Sequence, residues 1–172
     1  MIEIIFHGRG GQGAVKSAQI LALAASIEGK YAQAFPNFGI ERSGAPVEAY
    51  CRISDEPILL RSQIYEADYA VVLDSSLLKI KDIKAKKKII VNSSVGKCDL
   101  KETCAFDATT LALQVFGKPI VSTAILAIFS GFTNVVKKES LVKACGDFFS
   151  GDVLRKNVVI INEVYKKIGN KT

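Results

Sequence analysis

Ile2-Glu3-Ile4-Ile5-Phe6-His7-Gly8-Arg9-Gly10-Gly11-Gln12-Gly13 decides how the rest of this chain reads. Residues 2–7 form a short, largely apolar run, and four glycines then fall within six positions. Small residues follow at Ala14, Ala18, Ala22 and Ala25, intervals of three or four that put them along one side of a helix. Glu28-Gly29-Lys30 then offers a permissive glycine and a basic residue, the chemistry of a helix end. A strand, a glycine loop and a helix with an alanine stripe, able to lie close on a sheet, are the opening of a βαβ unit.

Working outward, residues 31–35 read as the second strand and 36–46 as a loop holding Pro36, Gly39, Gly44 and Pro46, with Glu41 and Arg42 in its middle. Residues 47–53 alternate well enough to be a strand. The stretch up to Tyr65 has no clear period. Three further short strands are expected at 69–73, 88–91 and 104–106, ending on Asp74, Asn92 and Asp107. Asp107 is placed to cap a helix over 108–116. Residues 120–132 are apolar on every side of a helix. The segments 139–149 and 152–168 are amphipathic, the latter presenting Leu154, Val158, Ile161, Tyr165 and Ile168 on one face. The expectation is a single domain over residues 1–172: α/β, Rossmann-like, layered α/β/α, with a mostly parallel or mixed sheet and a helical C-terminal third.

Composition narrows the function. The chain has 172 residues, 49% hydrophobic and 23% charged, ordinary values for a globular domain able to bury a core. Its longest apolar run, 120–132, is too short to span a bilayer, and the N-terminus has neither a basic region nor a cleavage site. A cytoplasmic location and no membrane partner are expected. The net charge of +6 comes from lysine. Six lysines lie between Lys79 and Lys88 around Asp82, without aromatics or arginine interleaved. They read as a solvated face that attracts acidic partners weakly, not as a nucleic-acid site. Cys51, Cys98, Cys104 and Cys145 form no C-x-x-C pair, and His7 is the sole histidine. No zinc or iron–sulfur ligand set follows from that spacing, so no metal is expected and the cysteines read as buried thiols.

Gly8, Gly10 and Gly13 satisfy G-x-G-x-x-G between a strand and a helix. Such a loop lets a ligand approach the backbone, and the helix start offers N–H groups to an anion, with Arg9 and Lys16 adding charge. The candidate anion site is Gly8, Arg9, Gly10, Gly11, Gln12 and Gly13. Dinucleotide binding would also need a carboxylate ending the second strand, but that strand closes on Gln33-Ala34-Phe35-Pro36. No G-K-[ST] completes a Walker loop. A tight turn with no ligand fits the spacing equally well. No catalytic residue is expected: His7 reads as a strand-end residue bonding the loop backbone, and Asp55-Glu56 as a solvated turn beside Pro57.

Two segments together carry a more specific signal: Phe6-His7-Gly8-Arg9-Gly10-Gly11-Gln12-Gly13, and Ala32-Gln33-Ala34-Phe35-Pro36-Asn37-Phe38-Gly39-Ile40-Glu41-Arg42-Ser43-Gly44-Ala45-Pro46-Val47. They resemble the gamma-type chains of the 2-oxoacid:ferredoxin oxidoreductase family, the pyruvate-type members above all. Arg52-Ile53-Ser54-Asp55-Glu56-Pro57-Ile58, Tyr69-Ala70-Val71-Val72-Leu73-Asp74, Ile89-Ile90-Val91-Asn92 and Asp107-Ala108-Thr109 extend the match over most of the chain. At Ser122-Thr123-Ala124 it departs, with serine where the family usually has asparagine.

The resemblance implies a multi-subunit enzyme that decarboxylates a 2-oxoacid oxidatively, forms acyl-coenzyme A and reduces ferredoxin. Thiamine diphosphate and iron–sulfur clusters would reside in partner subunits, namely thiamine-diphosphate-binding chains and a ferredoxin-like chain, with no cofactor in this one. Coenzyme A would be the co-substrate of the complex. This chain, inactive alone, would complete the substrate and coenzyme A channel. The loop bearing Phe38, Gly39, Glu41, Arg42 and Ser43 would dock at the subunit interface beside that channel, on the glycine-loop side of the sheet. The alternatives are a stand-alone phosphate- or nucleotide-binding module and a scaffold subunit that touches no ligand.

Overall fold

The computed structural model describes residues 1–37, 44–94 and 103–169. In chain order they form β1 (Ile2–Arg9), α1 (Ala14–Ile27), β2 (Tyr31–Pro36), β3 (Pro46–Ser54), β4 (Tyr69–Val72), a 3-10 turn (Ser75–Lys79), β5 (Lys88–Asn92), β6 (Thr103–Phe106), α2 (Ala108–Phe116), α3 (Ser122–Thr133), α4 (Lys138–Phe148) and α5 (Gly151–Gly169). β1 runs two residues beyond the expected strand because Gly8 and Arg9 still pair with Val47 and Pro46 of β3.

The six strands make one sheet in the order β2-β3-β1-β4-β5-β6. β1, β4, β5 and β6 are mutually parallel, while β3 runs antiparallel to both β1 and β2. The α/β expectation is borne out, with the sheet mixed. β3 inserts between β1 and β2, so the β1–α1–β2 crossover steps over a strand, and β2 points the same way as β1.

Buried residues of all five helices join Ile4, Phe6, Cys51, Val71 and Ile90 in one large core. These strand positions share a face, since Phe6 is opposite Val71 and Val71 opposite Ile90. The other face carries two small clusters: Ile5, Tyr50, Ile64 and Ala67, and Ala70, Val72, Leu77, Ile83 and Val91. The third layer expected of an α/β/α stack is thus built from the 3-10 turn and irregular chain. The physical reason lies in the connection from β4 to β5: residues 73–87 hold only the 3-10 turn, so no crossover helix lies between these two strands.

α3 is buried without interruption from Ser122 to Ser130, as a helix apolar on every side requires. Phe129 meets the rings of Phe6 and Tyr69 edge-on, at 6.5 and 5.5 Å. Its polar groups are mostly paired internally: Ser130 Oγ donates to the Val136 carbonyl at 2.7 Å and accepts from Tyr165 Oη at 3.0 Å. α5 is rotated from the expected face. Asn157, Ile160, Ile161 and Val164 are its buried residues, and Asn157 donates its amide nitrogen to the Val153 carbonyl at 2.8 Å. In α1, Ala14, Ala18 and Ala25 lie against the core as the stripe implied, but Leu21 rather than Ala22 continues it.

Cys51 and Cys145 are free and buried; burial pushes the Cys145 thiol up to about 11, and Cys51 further in the same direction. Cys104 is disulfide-bonded, which corrects the expectation that all the cysteines are thiols.

Candidate functional site

β1 feeds directly into the glycine loop, and the β2–β3 connection leaves the sheet at the same edge. Gly10 N–H donates to the Ala45 carbonyl at 2.9 Å, and Gly44 N–H to the Gly10 carbonyl at 3.4 Å. Within the loop, Gln12 N–H donates to the Arg9 carbonyl at 3.0 Å, while its Oε1 accepts from Arg9 N–H at 2.8 Å. Gly11 and Gly13 hold φ of 92° and 88°, the left-handed region that disfavours side chains. Gly11, which lies off the G-x-G-x-x-G pattern, therefore carries one of the two conformational demands.

Gly13 caps α1 without any side-chain hydrogen bond, and the first turn contains no acidic residue. The N–H groups of Ala14, Val15 and Lys16 have no carbonyl partner within the helix and lie at its positive end. They face a cleft of about 1260 Å³ lying outside the carboxyl ends of β1, β4, β5 and β6, the edge where α/β sheets bind ligands. Lys16 lines this cleft with its ammonium 5.1 Å from the Phe149 ring centre.

Arg9 spends its guanidinium within the chain. Nε donates to Asp74 Oδ2 at 3.0 Å, one terminal nitrogen to the Gly44 carbonyl at 3.1 Å, and the other to Ser76 Oγ at 2.8 Å. Gln12 Nε2 adds a 3.2 Å bond to the same Asp74 oxygen. Burial alone would raise the Asp74 carboxyl, but the bonds from Ser76, Gln12 and Arg9 outweigh it and hold the group below its ordinary value. Arg9 and Asp74 together tie the glycine loop to the end of β4 and to the β2–β3 connection.

The opposite wall is the start of α3, which also lacks a side-chain cap. Ser17 Oγ lies 3.0 Å from the Gly13 carbonyl and 3.3 Å from that of Ser122. A Cβ on Gly13 would sit 3.0 Å from Ser122 Cβ. Ser122 therefore packs on the capping glycine. Asn92 braces a third side: its Nδ2 donates to the Leu73 carbonyl and Thr109 Oγ1, both at 2.9 Å, and Oδ1 accepts from Ala108 N–H at 3.0 Å. Asp107 caps α2 through the Thr110 N–H at 2.8 Å. The roles of Asp74 and Asn92 were not read from the sequence, though the signal was present: three strands each end on Asp or Asn.

Of the loop residues singled out, Arg9, Gly10, Gly11, Gln12 and Gly13 line the cleft, while Gly8 stays in β1 opposite Val47. Phe38, Gly39, Glu41, Arg42 and Ser43 lie outside the described residues. The His7 side chain points to the other face, with Nδ1 3.1 Å from Glu48 Oε1, and does not bond the loop backbone as expected.

A family model described as pyruvate ferredoxin/flavodoxin oxidoreductase matches residues 3–167. The chain belongs to that family. A pyruvate/ketoisovalerate oxidoreductases common subunit gamma from Pyrococcus furiosus is 49% identical, with 97% of each chain covered. The crystal structure of the pyruvate oxidoreductase subunit PORC from Thermotoga maritima superposes with a TM-score of 0.81 at 33% identity, covering 96% of this chain and 95% of that one. The same fold recurs in a 2-oxoglutarate:ferredoxin oxidoreductase from Magnetococcus marinus, solved with 2-oxoglutarate, coenzyme A and succinyl-CoA bound. There the TM-score is 0.78 at 18% identity, and the match spans 99% of this chain but 31% of that one.

The expectation of a gamma subunit of a 2-oxoacid:ferredoxin oxidoreductase is borne out by these relatives, and this family member is one subunit of a multi-subunit oxidoreductase. Among the described residues, no group of three or more His, Cys, Asp or Glu side chains could hold a metal ion. Nor do the described cysteines form an iron–sulfur ligand set: Cys51 and Cys145 are buried thiols that join no such group, and Cys104 is committed to a disulfide. Among the described residues no helix is long and apolar enough to cross a membrane.

Proposed function

We propose that this chain is the gamma subunit of a pyruvate:ferredoxin oxidoreductase of the cytoplasm, and that its glycine-loop cleft receives the phosphates of coenzyme A beside the substrate channel. The observation that carries this reading is the start of α1. It has a left-handed glycine cap, no side-chain cap and no acid in its first turn, and it opens on a cleft of about 1260 Å³. Such an end favours an anion through its N–H groups and its dipole, and Lys16 adds a full charge. Arg9 acts here by holding the loop shape. Thiamine diphosphate and iron–sulfur clusters sit in partner chains, thiamine-diphosphate-binding chains and a ferredoxin-like chain, and supply decarboxylation and electron transfer.

The ligands of the Magnetococcus enzyme support coenzyme A by analogy of fold. A Pyrococcus relative described as common to pyruvate and ketoisovalerate enzymes suits a subunit that does not itself choose the acid. The loop with Phe38, Gly39, Glu41, Arg42 and Ser43 is assigned to the subunit interface. Its support is the direction of β2, whose carboxyl end lies at the same sheet edge as that of β1.

In the assembled enzyme, Gly10→Val is expected to raise KM for coenzyme A by about tenfold, leaving KM for pyruvate unchanged. Unchanged KM values in a complex of normal composition reduce the loop to a tight turn. Arg42→Ala is expected to weaken assembly or acyl-coenzyme A formation, read by gel filtration and by thioester yield. Wild-type values in both remove the interface assignment.

A further inference from the structure

On the face of the sheet away from the cleft, a second hollow of about 550 Å³ is floored by Ile5 and His7 of β1 and by Glu48 and Tyr50 of β3. His7 is 5% exposed, and its Nδ1 lies 3.1 Å from Glu48 Oε1. An ionised carboxylate can only accept, so Nδ1 carries the ring proton. The His7 hydrogen bond, joined by Lys81 and opposed by burial, holds Glu48 far below the usual carboxylate range. Asn37 Nδ2 at 3.1 Å and Tyr50 Oη at 3.2 Å donate to its other oxygen, so the ring is fixed in place. In the neutral ring Nε2 presents a lone pair, and none of the described residues donates to it.

The charges around this hollow cancel in pairs: Lys81 with Glu48, Lys84 with Asp82, Lys86 with Glu66. Among the described residues, a charged ligand finds no free counter-charge here. Ile64, Ala67 and Ile83 supply apolar wall, and the ring of Tyr65 lines the hollow while 83% exposed. Exposed aromatic surface beside a buried acceptor suits a ligand with an apolar body and one polar end.

We propose that this hollow is a second binding site, for a small neutral molecule joining a compact flat apolar body to one O–H or N–H donor. The donor meets His7 Nε2 and the body lies against Tyr65. The site stands apart from the coenzyme A reading of the cleft.

His7 is the only histidine, so long-range proton–nitrogen spectra of the full 15N-labelled chain report a single ring. Phenol serves as the neutral probe, with inorganic phosphate titrated in parallel. Phenol is expected to shift Nε2 saturably while Nδ1 stays protonated. Tyr65→Ala, at an exposed position, is expected to weaken phenol binding about two- to tenfold, the worth of one aromatic contact. An Nε2 signal indifferent to phenol up to its solubility limit overturns the proposal. So does a response to phosphate with Nε2 protonated, which makes the hollow an anion site, and so does equal phenol affinity in Tyr65→Ala.

Discussion

Gly13→Ala is expected to lower the melting temperature by roughly 6–12 °C, against roughly 3–6 °C for Gly11→Ala. Both positions have φ near 90°, where an L side chain costs about 1–2 kcal/mol. They differ in what surrounds the added methyl. At Gly11 nothing lies within 4 Å, so only the backbone cost applies. At Gly13 the new Cβ meets Ser122 Cβ at 3.0 Å, and the starts of α1 and α3 must separate to admit it. Thermal unfolding of the two variants beside wild type reads the difference. Equal shifts mean that the two helix starts yield freely, and the tight abutment is then not a constraint on the cleft.

Glu48→Gln is the second large effect, expected to cost about 2–4 kcal/mol at neutral pH. The carboxylate takes donors from His7, Lys81, Asn37 and Tyr50, and an amide returns only one acceptor while adding donors of its own. The pH dependence has a definite sign. The Glu48 carboxyl is lowered from an ordinary value of 4.5, chiefly by the His7 hydrogen bond, so its contribution is fully present above about pH 4.5. It is lost as pH falls through the lower value of the folded chain. Asp68, Asp74 and Asp107 are lowered too and act in the same direction. Urea unfolding at pH 7, 5 and 3.5 should therefore show the gap between wild type and Glu48→Gln narrowing below pH 4.5. A gap constant across that range removes the ionised carboxylate from the explanation.

The strand, glycine loop and alanine-lined helix were legible because each has a local signature: an apolar run, clustered glycines and a three-to-four residue spacing. α2 was legible to the residue, since Asp107 is a cap and Gly117 a left-handed stop. The insertion of β3 between β1 and β2 was not, because pairing partners are chosen by tertiary contact and leave no mark on strand periodicity. The same limit hid the partners of Arg9. A sequence shows a cation beside an anion-binding loop, but not that Asp74, 65 positions away, has already claimed it. In α5 the apolar pattern misplaced the buried face by passing over Asn157, a polar residue that no hydrophobicity count places inside.

The place of β3 also sets an order for synthesis. β2 pairs only with β3, and β1 only with β3 and β4. A nascent chain that has released residues 1–45 therefore holds two strands that are not neighbours in the sheet, so neither has yet met a native partner. Pairing begins when residues 46–54 emerge and satisfy both neighbours at once. The N-terminal third is thus not an autonomous piece that folds ahead of the rest, and a ribosome paused before residue 46 displays unpaired strand edges to chaperones and proteases.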